Sequence, residues 1–425
     1  MTSEFEYRIA SDLDRAWLNF EPDIPLTPGV DGRDNPFYVP RPDSKIKELK
    51  QKLLRPFYQP PKHFLSGHRG CGKSTEMYRL AADPDINLRF WPVHFSIRDF
   101  ADINDLDFKD VLLAIGGQLF AKYHGRLDPQ LLKELDSWRG DIEEQITTLK
   151  AGRMQGELGA EVGALFAKMT SKIKLEPKTR HEIRQFFDRD ITGLVGVINK
   201  IASDIRTREK RYPLVLVDDL DKPDLEIARQ IFYERQEIMM RPTCAIVYTI
   251  SSPLFYNPVI LSLPETTFLP NIKLHEEGDR RARYPHGYYT LDQMVYRRMD
   301  KDANLITAEA LELAATMSGG VFRELAQLMR GSINRASTAD RAQVTLVDVQ
   351  GTATEVRSHY WRVLTAEQRQ VLRKIREDNQ MRDSEEMAPL LQMLAVLEYD
   401  NGKTWCDTHP VLDDLLDERR KSPRT

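Results

Sequence analysis

From Gly67 to Ser74 the chain reads Gly67-His68-Arg69-Gly70-Cys71-Gly72-Lys73-Ser74, followed by Thr75. The spacing is G-x-x-x-x-G-K-S, the Walker A pattern of a phosphate-binding P-loop. Glycines let successive backbone N–H groups turn inward around an anion with no side chain in the way. Lys73 supplies a point charge for β- and γ-phosphates, Ser74 a hydroxyl for Mg²⁺, and the helix that follows its positive end. The flanks agree. His63-Phe64-Leu65-Ser66 is a short apolar strand entering the loop, and Thr75 to Ala82 is a helical exit.

A strand feeding such a loop needs a partner strand that ends in acid. Tyr212-Pro213-Leu214-Val215-Leu216-Val217 is a continuous apolar run, as expected of a parallel strand buried on both faces, and it ends in Asp218-Asp219-Leu220-Asp221. Ligands collect at the carboxyl ends of such strands. Asp218 is therefore expected to share Mg²⁺ with Ser74, and Asp219 to orient or deprotonate an attacking water. Thr243 to Ser252 reads as a further buried strand with a polar end, where Thr249 or Ser251 can offer a hydroxyl to the γ-phosphate or its water.

The remaining chain is parsed around these two motifs. Its 425 residues suit two or three domains, and 41% hydrophobic with 30% charged residues describes a soluble globular protein. No run approaches the roughly 18 apolar residues of a membrane span, and the first residues lack the pattern of a signal peptide. Three widely spaced cysteines (Cys71, Cys244, Cys406) have no metal-ligand spacing, so a reducing cytoplasm is expected. A net charge of −4 argues against indiscriminate nucleic-acid binding. Residues 1–35 are read as an arm with one short helix near Asp12 to Asn19. Residues 36–287 are read as the P-loop core, with a charged helical insertion at about 129–207 and a small hairpin as the alternative for Gly156 to Gly163. Leu225 to Met240 is expected to be helical, and His275 to Gly287 a charged loop. Residues 288–350 are expected to be a helical lid. Residues 351–425 complete the chain: a helix from Ala366, a helix from Ser384 to Glu398, and a hairpin turning at Asn401-Gly402.

Taken together these segments resemble the AAA+ superfamily, nearest to its initiator-like and STAND branches, while Asp218-Asp219-Leu220-Asp221 is shared with KAP-type P-loop NTPases. The resemblance implies an α/β fold: a three-layer αβα P-loop domain, a helical lid and a C-terminal winged helix. Tyr38-Val39-Pro40-Arg41-Pro42-Asp43 resembles the segment that holds adenine, with Pro40 where glycine is usual, so Val39 and Arg41 are implied nucleotide contacts. Gly319-Gly320-Val321-Phe322-Arg323-Glu324-Leu325 is similar to the sensor-2 motif, which implies Arg323 on the γ-phosphate. Sensor 1 would be Thr249 or Ser251, and Arg241 a finger reaching into a neighbouring subunit, with Arg235 and Arg280 to Arg283 as competitors. ATP and Mg²⁺ are the implied cofactors. The implied activity is a slow ATPase switch, because Asp219 stands where a longer glutamate is usual. It would assemble as a homo-oligomer or act through an effector protein in bacterial signalling or defence. The alternative is an initiator-like ATPase whose winged helix binds duplex DNA.

Overall fold

The computed structural model describes residues 7–29, 32–149, 160–256, 265–382 and 384–417. Its centre is a parallel sheet of β1 (Lys62–Gly67), β2 (Phe90–Ser96), β3 (Tyr212–Asp218), β4 (Ala245–Ser251) and β5 (Thr266–Leu269). They lie side by side in the order β2-β3-β4-β1-β5. The registers Gly67↔Ser251, Gly67↔Leu269 and Ser96↔Asp218 bring the polar strand ends to one edge. The P-loop leaves β1 there and the acidic run leaves β3 there, with β4 between them.

The alternation along β3 explains why the sheet has helices on both sides. Leu214 and Leu216 pack with Leu49, Leu53, Met77 and Leu80 on one face. Val215 and Val217 pack with Val111, Leu112, Ile115, Leu194 and Ile198 on the other. Successive side chains of a strand point to opposite faces, so an unbroken apolar run demands two covers.

The chain between β2 and β3 forms five helices: Phe108–Tyr123, Pro129–Gln145, Ala160–Leu175, Pro177–Arg189 and Ile191–Glu209. Despite their charge, these helices share the core of the sheet. Val162, Leu165, Phe166, Met169 and Ile173 make one stripe at helical spacing within that core. Gly163 lies inside a helix, and residues 156–159 of the hairpin alternative fall outside the described residues. The helical run from Leu225 is interrupted by a π-turn over Gln230–Glu234.

The arm is integrated into the lid. Leu13, Ala16 and Phe20, from helix Leu13–Asn19 and its end, share a core with Leu291, Val295, Leu325 and Met329 of the lid helices Pro285–Tyr296 and Phe322–Thr338. Helix Leu346–Val363 runs through residue 350, so the lid and the C-terminal unit share one continuous rod. Among the described residues, no helix is long and apolar enough to cross a membrane.

Two expectations are corrected. The stretch His275 to Gly287 is not a loop throughout: β6 (His275–Glu276) and β7 (Asp279–Arg283) pair antiparallel. The helix from Ser384 ends at Gln392, and Glu398 belongs to a strand, β8 (Val396–Asp400), paired antiparallel with β9 (Thr404–Thr408). Leu394 takes a left-handed conformation, φ 62°, which ends the helix and turns Val-Leu-Glu-Tyr into the hairpin.

The two hairpins are joined by charge. Arg280 of β7 donates from Nε to Asp407 Oδ2 at 2.7 Å and pairs with Asp413 at 2.6 Å, while His275 Nε2 lies 3.3 Å from Asp407. Burial alone would raise the Asp407 carboxyl, but His275 and Arg280 outweigh it and hold the group below the ordinary aspartate value. A carboxylate with a depressed folded pKa stabilises the fold above its unfolded value, and that contribution is lost as pH falls through the folded one. Asp407→Asn, which leaves Arg280 to Asp413 and the Thr408 hydroxyl, is expected to cost about 1–3 kcal/mol. In thermal melts the gap between wild type and variant should stay constant from about pH 5 to 8 and narrow only below about pH 4.

Candidate functional site

The loop is built as the glycines dictate. Gly70 and Gly72 sit at φ 83° and 104°, a region that side-chain-bearing residues rarely adopt, and helix Lys73–Ala82 begins directly after them. Lys73 is tucked beneath the loop, donating to the carbonyls of Gly67 at 2.7 Å and His68 at 2.9 Å. Its third partner is Asp221, with Nζ 2.9 Å from Oδ2 and both side chains almost wholly buried. Burial works against each charge, but the pairing wins: Lys73 is held above its ordinary value and Asp221 below it.

The acidic turn is equally constrained. Asp218 accepts the backbone N–H of Asp219 at 2.8 Å, and Asp219 takes a left-handed φ of 64°. Ser96, at the end of β2, donates to Asp219 Oδ2 at 2.7 Å. Burial, reinforced by Asp218, pushes the Asp219 carboxyl up. Carboxylate oxygens of Asp218, Asp219 and Asp221 lie within 4.8 Å of one another. Since Asp221 is engaged by Lys73, the oxygens of Asp218 and Ser74 suit a hard divalent cation beside the loop.

Lid and arm close over this edge. The backbone N–H of Arg323 donates to the Gly70 carbonyl at 3.2 Å, and the Phe322 ring lies over Gly72. The Arg323 guanidinium reaches the arm: Nε donates to Pro22 O at 3.3 Å and Nη2 lies 3.5 Å from Asp23. Leu26 N–H donates to the Thr75 hydroxyl at 3.1 Å. Deeper in the lid, the buried Arg298, pulled down by burial to about 10, donates to the carbonyls of Asn19, Phe37 and Met294. Arm, lead-in segment and lid thereby share one anchor.

What they enclose is a cavity of about 540 Å³. One part of its wall is Gly70, Gly72, Lys73, Ser74 and Thr75 with Asp218, Asp219, Asp221 and Lys222; another is Phe37, Tyr38, Val39, Met294, Phe322 and Ala326; the arm contributes Glu21 to Leu26. Tyr38 is fixed by donating its hydroxyl to Glu76 at 3.0 Å while accepting from Arg79 at 2.6 Å. A charged end and an apolar slot in one cleft is the shape a nucleotide demands.

Several expected contacts lie elsewhere. Arg41 does not line the cavity: it braces the loop from behind, donating to Cys71 O at 2.7 Å and to Pro270 O, with Asp43 at 2.9 Å. Cys71 packs in the core beneath the sheet. Arg69 donates to the Lys222 carbonyl at 2.7 Å, and His68 Nε2 accepts the backbone N–H of Glu398 at 2.9 Å. Thr249 is fully buried and its hydroxyl accepts the N–H of Leu220 at 3.0 Å, so it holds the acidic turn and not a ligand. Ser251 sits beside Gly67 at the end of β4, outside the cavity wall. Arg241 is half exposed, paired with Glu237 at 2.7 Å before the amino end of β4. The seven residues of β4 put it about 20 Å from the cavity edge, so it does not act on the site of its own chain. Sequence reasoning missed Asp221 as the lysine's partner, and also missed Lys222, His94 and Ser96. The signal was present for all of them, since β2 ends at the same sheet edge as β3 and Lys222 directly follows the acidic run.

No protein-family model matches the chain, and no curated protein does. Solved structures similar in overall arrangement include the ORC2 protein of Aeropyrum pernix in ADPNP-ADP complexes, at 12% identity and TM-score 0.43 over 95% of this chain and 98% of that one. Drosophila ORC bound to DNA gives 12% identity and TM-score 0.41, over 99% and 96%. The RuvB Holliday junction branch migration motor of Thermotoga maritima gives 11% and 0.36, over 89% and 95%.

The seating of the lid on Gly70 can be tested directly. A Cβ added at Gly70 would fall 2.4 Å from the Cβ of Arg323. Gly70→Ala is expected to lift the lid, raising amide hydrogen exchange over residues 319–326 while β3 and β4 stay protected as in wild type.

Proposed function

We propose that the chain is an ATP-binding switch of the P-loop ATPase type that hydrolyses slowly and passes its state to a partner polypeptide through the C-terminal unit. The observation that carries this reading is the single cleft that joins P-loop, acidic strand end, apolar slot and Arg323.

In this reading the phosphates lie along the start of helix Lys73–Ala82, the base enters the slot at Tyr38 and Val39, and the arm covers both. Mg²⁺, which supplies charge neutralisation when bound, would be held by Ser74 and Asp218. Lys73 exchanges Asp221 for phosphate oxygens. Asp219, kept in place by Ser96, takes the proton from water as the water oxygen bonds to the γ-phosphorus and ADP leaves with the bridging oxygen. Its raised pKa helps it accept that proton, but its short side chain and left-handed backbone leave little freedom to follow the water. That favours slow turnover.

The loop is also wired to the C-terminal unit. His68 accepts from Glu398 N–H at 2.9 Å, the Glu398 carbonyl accepts from Asn271 after β5 at 3.2 Å, and its carboxylate accepts from Tyr256 after β4 at 3.0 Å. Tyr399 donates to Gly319 O at 2.8 Å, at the entrance to the lid motif. A loop that shifts around phosphate therefore pulls on β8. Duplex DNA is a poorer partner for this unit: helix Ser384–Gln392 carries no Lys or Arg, and Lys403 at the hairpin lies 3.5 Å from Glu277.

ATP titration and phosphate release test the reading. Lys73→Ala should abolish both. Asp219→Asn should bind ATP within about threefold of wild type yet turn over about 100-fold more slowly, the scale of a lost general base. Normal turnover in that variant, or unchanged ATP affinity in Lys73→Ala, overturns it. The wiring has its own readout, limited proteolysis of the C-terminal unit with and without ATP. His68→Ala should bind ATP but lose the nucleotide-dependent change in cleavage.

A further inference from the structure

We propose that Lys222 is the cation that meets the γ-phosphoryl group from within the same chain, completing in cis a charge set that would otherwise need a neighbouring subunit. The inference rests on the ATPase reading above and names a residue for that same site.

Of the cations in the cavity wall, Lys73 comes from the helix after the loop, Arg323 from the lid, and Lys222 from the turn after β3, within electrostatic range of the other two. Their partners differ. Lys73 already has Asp221 and two carbonyls, and Arg323 is held by Pro22 and Asp23 of the arm. Among the described residues the Lys222 ammonium makes no side-chain hydrogen bond: Asp219 lies at 3.9 Å, too far for one, and Asp221 acts on it through charge alone. Its donors remain unspent in the cavity wall beside the acidic turn.

The backbone beneath Lys222 is fixed on three sides. Its own N–H donates to Asp219 O at 3.2 Å, its carbonyl accepts from Arg69 at 2.7 Å, and Leu220 N–H donates to Thr249 at 3.0 Å. A cation placed by a rigid turn beside the water-activating carboxylate stabilises charge that develops on the transferred group without reorganising. In the reaction it acts as a donor: its N–H groups donate to the γ-oxygens as the bond to the bridging oxygen lengthens. A merely structural Lys222 would instead only neutralise the acidic turn.

Single-turnover hydrolysis separates the two. Lys222→Met should bind Mg·ATP within about threefold of wild type while its turnover falls about 100-fold, as when one transition-state donor is removed, and Lys222→Arg should recover at least a tenth of the rate. Wild-type turnover per chain should not change across a 100-fold range of protein concentration. Unchanged turnover in Lys222→Met, or wild-type turnover that rises with protein concentration, overturns the assignment. Loss of ATP binding in Lys222→Met together with Lys222→Arg also overturns it, since a structural role predicts that pattern. If wild type hydrolyses no faster than Lys73→Ala, the ATPase reading itself has failed, and that outcome is distinct because no Lys222 variant is needed to see it.

Discussion

The buried pair between Lys73 and Asp221 is the interaction on which the rest of the site depends. Two charges removed from water are expensive, and removing one partner of such a pair leaves the other uncompensated in the interior. The loop therefore has to keep its lysine satisfied at all times, by Asp221 and two carbonyls or by an anion that replaces them. Under the proposed reading, phosphate oxygens are what replaces them. The sheet order serves this pairing: with β4 between β1 and β3, loop and acidic turn are near enough for Nζ to reach Oδ2 at 2.9 Å, yet far enough apart to leave a cleft.

The second constraint is closure. A P-loop alone is open to solvent, and water weakens every charge interaction made there. Here the lid sits directly on Gly70, and the arm crosses from Arg323 to Thr75. Because Leu13, Ala16 and Phe20 share the lid's core, arm and lid form one body. Opening the cleft then means moving that body against the sheet. The contacts that resist include the Arg323 N–H on Gly70, the Leu26 N–H on Thr75 and the Phe322 ring over Gly72.

How much of this was legible in the sequence follows from what each residue answers to. Gly70, Gly72, Lys73 and Asp218 meet at one sheet edge because the loop leaves β1 and the acidic turn leaves β3 there, and their type and spacing marked them in the sequence. Arg323 comes to the loop because its backbone N–H meets Gly70, while its guanidinium turns to Pro22 and Asp23 of the arm. Arg41 was placed by resemblance, and Thr249 and Ser251 by their position at a strand end, and neither determines where a side chain points. Arg41 turns behind the loop, where the Cys71 and Pro270 carbonyls and Asp43 engage its donors. Thr249 turns to Leu220 because a fully buried hydroxyl must be satisfied by the nearest backbone. The same applies to secondary structure. Ser384 to Glu398 carries enough apolar residues for a helix, and only the left-handed Leu394 and the pairing with Thr404–Thr408 make its last part a strand.

The slow character of the proposed reaction and the wiring to the C-terminal unit belong together. A motor must discard each nucleotide quickly, whereas a switch must hold it long enough for a partner to read. Asp219 is held by Ser96 and by a left-handed backbone, an arrangement that limits its reach. Meanwhile His68, inside the loop, and Tyr256 and Asn271, after the strands on either side of it, all converge on the one residue Glu398. Such convergence would serve a fast motor poorly, since each cycle would have to break and remake a buried network. It suits a protein that changes state once per nucleotide and reports that state at a distance through β8.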